Sequence, residues 1–240
     1  MRGCPTILNF SGFPRLFCYD SLREAGGKVV IVRVKPLVAF LALFAFSLIP
    51  CCLATVITFD DIPKNTGTAS FLQSSYQGLT WSNFGIVNAI LYSDLHGSNG
   101  TLYGMVSASN VAFNAVGNPA EIVSPGTNFN FLSAYLTGAW NSNLNIEVQG
   151  FLEGNLLYNQ TVVVSATNPT LFVFNYLNID RLNFTSFGGQ DAGFPYGGGT
   201  NFEMDNFTFE FVPEPSVFLL TAAGVLLLWP ILKRRRECPR

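Results

Sequence analysis

Between Thr55 and Ser216 this chain has no cysteine, one histidine (His96) and only two cationic side chains, Lys64 and Arg181. Its five cysteines, Cys4, Cys18, Cys51, Cys52 and Cys238, all fall outside that stretch. A segment without a thiol has no disulfide, no thiolate metal site and no sulfur nucleophile. One imidazole is too few for a His-rich zinc or iron centre. Against the two cations stand twelve Asp and Glu, so the segment carries −10 although the whole chain reads −2. Such a charge favours solubility and repels anions, which excludes nucleic acid as a partner because phosphates need Lys and Arg. About 160 residues must therefore be stabilised by one hydrophobic core alone.

The two ends differ in character from this middle. At the carboxyl end, Val212-Pro213-Glu214-Pro215-Ser216 is followed by an apolar run of 16 residues, Val217 to Leu232, and by Lys233-Arg234-Arg235-Arg236. As a helix the run would span roughly 24 Å at about 1.5 Å per residue. That is slightly short of a hydrocarbon core of about 30 Å, and interfacial Trp229 and the basic side chains extend its reach. The cations resist translocation and hold that end in the cytoplasm. A rigid Pro213-Glu214-Pro215 motif, one apolar span and a basic stop, in this order, resemble the PEP-CTERM sorting signal of exported bacterial proteins. The resemblance implies that an exosortase, an intramembrane cysteine protease-transpeptidase, recognises Pro213, Glu214 and Pro215 as substrate residues and removes the tail. At the amino end, Arg33 and Lys35 precede the apolar Leu37 to Ile49, and Cys52-Leu53-Ala54 supplies small residues for cleavage between Ala54 and Thr55. This pattern reads as a secretory signal peptide handled by the general secretion machinery and signal peptidase. The residues ahead of Arg33 exceed what such a segment needs, which fits a start codon at Val32 or Val34; sequencing the uncleaved precursor distinguishes the two starts. The chain thus divides into a signal region at 1–54, a domain at 55–211 and a sorting region at 212–240.

The domain reads as all-β. No window of a dozen residues carries a helical stripe, whereas Leu144 to Gln149 alternates apolar and polar side chains as a half-buried strand does. Glu153-Gly154-Asn155 is a turn into a partner strand over 157–164. Further strands are expected at 55–59, 79–84, 111–113, 129–135 and 171–174, and from Leu182. Phe207, Phe209 and Phe211 share one face, while Phe202 and Met204 have the opposite parity, so a bulge is expected near Asp205-Asn206. Many short strands with turn signals between them predict a single antiparallel, jelly-roll-like β-sandwich, flanked by the signal peptide and a transmembrane helix.

Phe59-Asp60-Asp61, Tyr76-Gln77-Gly78-Leu79-Thr80-Trp81, Gly150-Phe151 and Met204-Asp205-Asn206-Phe207 follow in the order of a domain common in PEP-CTERM proteins. That domain is similar to jelly-roll carbohydrate-binding modules with a galactose-binding-like fold. The resemblance implies a structural calcium ion tying the first strand to the last, with Asp60, Asp61 and Asp205 as candidate ligands, and hard carboxylate oxygens suit that cation.

Catalysis finds little support. Ser93, Asp94 and His96 crowd one glycine-bounded stretch read as a turn, whereas a triad converges across a fold. Glu147 or Glu153 with Asp180 or Asp191 are the carboxylates open to a hydrolase, and nothing marks one pair over another. Sugar binding uses aromatic faces with amides and carboxylates around them. Trp140, at a corner beside Asn141 and Asn143, and Tyr196, within the glycine-rich 188–199, are the candidate glycan contacts, while Trp81 reads as core. The expectation is an exported, non-catalytic cell-surface or matrix protein, processed by an exosortase and associated with extracellular polysaccharide. The alternative is a glycan-binding module, and a polysaccharide hydrolase is a distant third.

Overall fold

The computed structural model describes residues 53–213 and Gly224. The signal region up to residue 52, Glu214 and Pro215 of the sorting motif, the apolar run apart from Gly224, and the basic stop lie outside the described residues. Among the described residues no helix is long and apolar enough to cross a membrane.

The domain opens with β1 (Thr55–Ile57), β2 (Ser70–Phe71), β3 (Ser75–Tyr76), β4 (Leu79–Ser82) and β5 (Phe84–Asn88). Helices α1 (Ala89–His96) and α2 (Gly100–Gly104) follow, then β6 (Asn110–Asn114), a 3-10 turn at Ala115–Gly117, β7 (Ala120–Val123), β8 (Phe129–Gly138) and β9 (Asn141–Ser142). Long strands complete it: β10 (Leu144–Leu152), β11 (Asn155–Val164), β12 (Thr170–Ile179) and β13 (Arg181–Phe187), then the short β14 (Gln190–Asp191) and finally β15 (Phe202–Phe211).

One sheet has the order β12-β8-β15-β6-β5-β2 with β1 also on β15, a second has β11-β10-β13-β7-β4-β3, and β14 pairs with β9 in a small two-stranded sheet. Every pairing is antiparallel. From β6 onward the chain repeatedly crosses between the sheets, which is the winding of a jelly roll. The architecture is the antiparallel β-sandwich that the alternating pattern predicts.

Local rules explain the strands. In β10, Leu144, Ile146 and Val148 face inward while Asn145, Glu147 and Gln149 are half-exposed. Glu153 and Gly154 have φ of 51° and 80°, the twist that a two-residue hairpin needs, and turn β10 into β11. In β15, Phe202 and Met204 point inward, the register slips between Asp205 and Thr208, and Phe207 and Phe209 then point inward. Asn206, at φ 51°, absorbs the extra residue at the place where the parity change requires it.

Two expectations differ. The stretch 79–84 is broken at Asn83, whose φ is 58° and whose Nδ2 donates to the carbonyls of Ala115, Asn118 and Pro119 at 3.3, 3.2 and 2.9 Å. A side-chain amide that satisfies three loop carbonyls outweighs continued pairing. The second is α1. His96 is the last residue of this helix, not part of a turn, and its ring lies 4.4 Å from that of Tyr92. Only Ala89 is buried in α1, so no apolar stripe announces it; Asn88 caps it by accepting from the Leu91 amide at 3.0 Å.

The core between the sheets is a chain of rings. Trp81 is 3% exposed, as its reading as core requires, and meets Phe84 at 5.1 Å and Phe207 at 5.4 Å. Phe131 stacks on both Phe207 and Phe174 at 4.8 Å, linking β8, β15 and β12. Phe131 is fully buried and bridges three strands, so its loss opens a cavity at the centre. Phe131→Ala is expected to lower unfolding stability by about 3–5 kcal/mol, read as a lower urea midpoint at unchanged slope; a loss under about 1 kcal/mol would contradict this packing.

Candidate functional site

The outer face of the larger sheet is not open to water over β15. Glu203 and Asp205, opposite in parity to the core residues, are 3% and 0% exposed. The segment from α1 to β6 covers them. Its approach is close because the first residue of α2 is a glycine: a Cβ on Gly100 would lie 1.9 Å from the Gly138 carbonyl oxygen. Asn99 fixes the entry to α2 by accepting from the amides of Thr101 and Leu102 at 3.0 and 3.3 Å. Thr101 then donates its hydroxyl to Glu203 Oε1 at 2.7 Å.

The two acids are satisfied very differently. Asp205 Oδ2 accepts from the amides of Val106 and Ser107, both at 2.7 Å. Its Oδ1 accepts from Ser107 Oγ at 2.8 Å and the Asn206 amide at 2.7 Å. Asp205 is a clamp on the 105–109 loop. Glu203 Oε2, in contrast, is buried without a hydrogen-bond partner, and so is Oγ1 of Thr137, its cross-strand neighbour. Unpartnered buried polar atoms are rare and costly, and two beside each other mark a place where another polar group fits.

Glu203 borders a crevice of about 250 Å³ whose walls include Tyr92, Thr101, Phe113, Trp140 and Asn201. Trp140 is 8% exposed. One side of its ring is covered by Gly197, where a Cβ would sit 2.2–2.4 Å from three ring atoms, so only glycine lets the 188–199 loop pack there. Asn201 is held by Nδ2 donating to the Asn114 carbonyl at 2.6 Å. Burial pushes the Glu203 carboxyl up to about 8, opposed in part by the Thr101 hydrogen bond. At neutral pH it is therefore a neutral acid with a proton to donate. Burial, and then the Glu203 charge, also push Tyr92 up. Both cations of the domain lie elsewhere: Lys64 donates to Ser70 Oγ at 2.9 Å, and Arg181 sits 4.5 Å over the Phe151 ring and 3.7 Å from Glu121.

The sequence candidates are distributed around this geometry. Trp140 lines the crevice. Tyr196 is 83% exposed at φ 66° in the loop, next to the Gly197 that covers Trp140. Asn141 and Asn145 each donate one amide N–H to the carbonyls of Gly188 and Phe187, at 3.1 and 3.3 Å, and so help hold the 187–188 turn. Asp60, Asp61 and Asp205 do not fit a calcium cage. Asp205 has four donors on its oxygens, Asp60 accepts from the Asn110 amide at 3.0 Å, and Asp61 accepts from Tyr76 and Gln77 side chains. Among the described residues no group of three or more His, Cys, Asp or Glu could hold a metal ion. The first and last strands are nevertheless tied directly, β1 pairing with β15 from Thr55–Phe209 to Ile57–Phe207.

The carboxylates weighed for hydrolysis serve local structure. Glu147 accepts from Asn159, Asp180 from the Glu153 amide, and Asp191 from the Gly193 amide. Ala54 and Thr55 are exposed, and β1 begins at Thr55. The Val212 amide donates to the Asn128 carbonyl at 2.8 Å, and Pro213 is exposed directly after it. Glu203, Thr101, Tyr92 and Asn201 did not stand out in the sequence. The one local signal was the pair of acids at alternate positions in an otherwise apolar strand, and acids so placed on an open sheet face are ordinarily solvated.

No protein-family model matches the chain, and no curated protein matches it. Among solved structures it is similar to a DUF4465 family protein from Bacteroides caccae ATCC 43185, at 11% identity over 65% of this chain and 98% of that one, with a TM-score of 0.46. It is also similar to TmCBM61 in complex with β-1,4-galactotriose, at 12% identity, 59% and 92% coverage and a TM-score of 0.31. A family 29 carbohydrate-binding module complexed with mannohexaose is similar at 12% identity, 68% and 93% coverage and a TM-score of 0.32. Likenesses at this level carry no argument about function, which rests on the chain's own residues.

The buried carboxyl makes stability depend on pH with a definite sign. Between the ordinary value of 4.5 and about 8, the folded chain keeps a proton on Glu203 that the unfolded chain has released. Stability from this group is therefore full below the lower value and falls as pH rises through the window, with a slope approaching about 1.4 kcal/mol per pH unit. Urea midpoints measured from pH 5 to 8.5 should fall accordingly, and Glu203→Gln should flatten that fall. An equally steep decline in the variant would place its cause elsewhere.

Proposed function

We propose that this chain is an exported glycan-binding β-sandwich whose sugar site is the crevice beneath Trp140. The observation that carries this reading is that Glu203, whose buried Oε2 has no hydrogen-bond partner, lines an aromatic-walled crevice. Aromatic walls suit the apolar face of a pyranose, and a neutral acid at the floor suits a hydroxyl or ring oxygen. No cation lines the crevice, and the domain at −10 repels anions, so the sugar is neutral. Binding is favoured over hydrolysis because a glycosidase needs two carboxyl groups, and Asp205, two residues along the strand, is occupied by four donors. The full-length chain, titrated calorimetrically with methyl glycosides of galactose, glucose and mannose at pH 6.5, should bind at least one of them saturably. Glu203→Ala should weaken that binding about tenfold or more while Glu203→Gln, which keeps a donor, retains most of it. The absence of saturable binding by all three sugars would remove the basis for this function.

Where the protein acts is a separate reading, supported by the order of Pro213-Glu214-Pro215, the apolar run and the basic stop. The chain is carried across the inner membrane by its signal peptide, held there by its tail, and released by an exosortase to the cell surface or extracellular matrix. There a sugar site would attach it to exopolysaccharide. Intact mass of the protein recovered from its native host should correspond to a species from Thr55 to near Pro215, with any added mass reporting a covalent attachment. A membrane species running to Arg240 would make the tail a plain anchor.

A further inference from the structure

The crevice does not end at Trp140. A second hollow of about 220 Å³ shares Ala69, Phe113 and Val116 with it, and is bordered by Ser70 and Phe71 on the outer strand of the larger sheet. The two hollows differ in chemistry. The inner one has Glu203, Thr101 and Asn201 at its walls, whereas the outer one is apolar except for Ser70, whose hydroxyl accepts from Lys64 at 2.9 Å. Phe71 is 74% exposed at its border and Val116 84% exposed, an unusual outlay of apolar surface in a small acidic domain. Val116 is also held at φ 57°, a region that β-branched residues rarely enter and that persists only where its surroundings enforce it. Asn83 provides that enforcement by binding the Ala115 and Asn118 carbonyls on either side of the turn.

We propose that the two hollows are consecutive subsites for one neutral glycan, the inner crevice taking its terminal residue and the Phe71–Val116 hollow the residue next to it. This rests on the reading of the inner crevice as a sugar site. Each hollow is below the roughly 300–1,000 Å³ of a pocket for a drug-sized ligand, so each suits a single sugar ring. The inner space is lined by Glu203 of β15, Tyr92 of α1, Thr101 of α2 and Trp140, and the shared Ala69, Phe113 and Val116 give a chain seated there a continuous path into the outer hollow. There the ring of Phe71 offers a face to the second pyranose, and the Lys64–Ser70 pair offers polar atoms to its hydroxyls.

The test compares methyl glycosides of galactose, glucose and mannose with the corresponding β-1,4-linked trisaccharides, by calorimetry on the full-length chain. The trisaccharide of the preferred sugar should bind about tenfold more tightly than its methyl glycoside, equivalent to about 1.4 kcal/mol. Phe71→Ala, at an exposed position, should abolish that gain and leave both the methyl glycoside affinity and the melting temperature unchanged. Equal affinities for the short and long ligands, or a gain that survives Phe71→Ala, would overturn the second subsite while leaving the inner one intact. If none of the ligands binds, the inner-crevice reading fails, and the subsites fail with it.

Discussion

The structure turns on the outer face of β15, where two acids are buried on a strand whose inner face is already committed to the core. β15 lies inside the larger sheet, paired with β8 on one side and with β6 and β1 on the other. Its inner residues, Phe202, Met204, Phe207 and Phe209, meet the opposite sheet, so Glu203 and Asp205 can only point outward. A carboxylate removed from water must be hydrogen-bonded or neutralised. Asp205 takes the first course with four donors, and in doing so positions the loop that follows α2. Glu203 takes the second, holding a proton because burial leaves it only one donor. One strand thereby carries a structural clamp and a buried acid that favours its proton, two residues apart.

The cover over these acids is built from small side-chain amides. Without disulfides, the loops on this side are fixed by Asn83, Asn88, Asn99, Asn110 and Asn114, each of which bonds backbone groups of its surroundings. Asn114 reaches furthest, accepting from the Phe202 amide while donating to Ser186 Oγ across the sandwich. Asparagine suits this role because its amide both donates and accepts, so one side chain can satisfy a turn on two sides. The abundance of asparagine therefore reflects the stapling of loops more than the recognition of hydroxyls. What remains for a ligand is a short list: the Glu203 carboxyl, the Trp140 wall, and the exposed apolar border at Phe71 and Val116.

The proposed export to the cell surface and the proposed glycan-binding crevice are complementary. Signals at the ends of a chain are read while it is extended, and they say where it goes. A site on the folded middle says what it holds there. The Val212 amide, directly before Pro213, bonds the Asn128 carbonyl, so the ordered fold reaches the Pro213-Glu214-Pro215 stretch almost without a spacer.

The β class, the hairpin at Glu153-Gly154, the bulge at Asp205-Asn206 and the burial of Trp81 were all legible in the order of residues. Each depends on periodicity or on turn chemistry within a few positions, and such rules act locally. The −10 charge and the absence of thiols are likewise properties of composition alone. The helix α1, the closure of α2 onto Gly138 and the site itself were not legible. Parity shows that Glu203 faces away from the core, but not what lies across from it. That is settled by Thr101, 102 positions earlier, and by a glycine contact with the end of β8. Burial of a polar group is a relation between distant segments, so its raised affinity for a proton, and the site it creates, exist only once the sheets and the cover have packed.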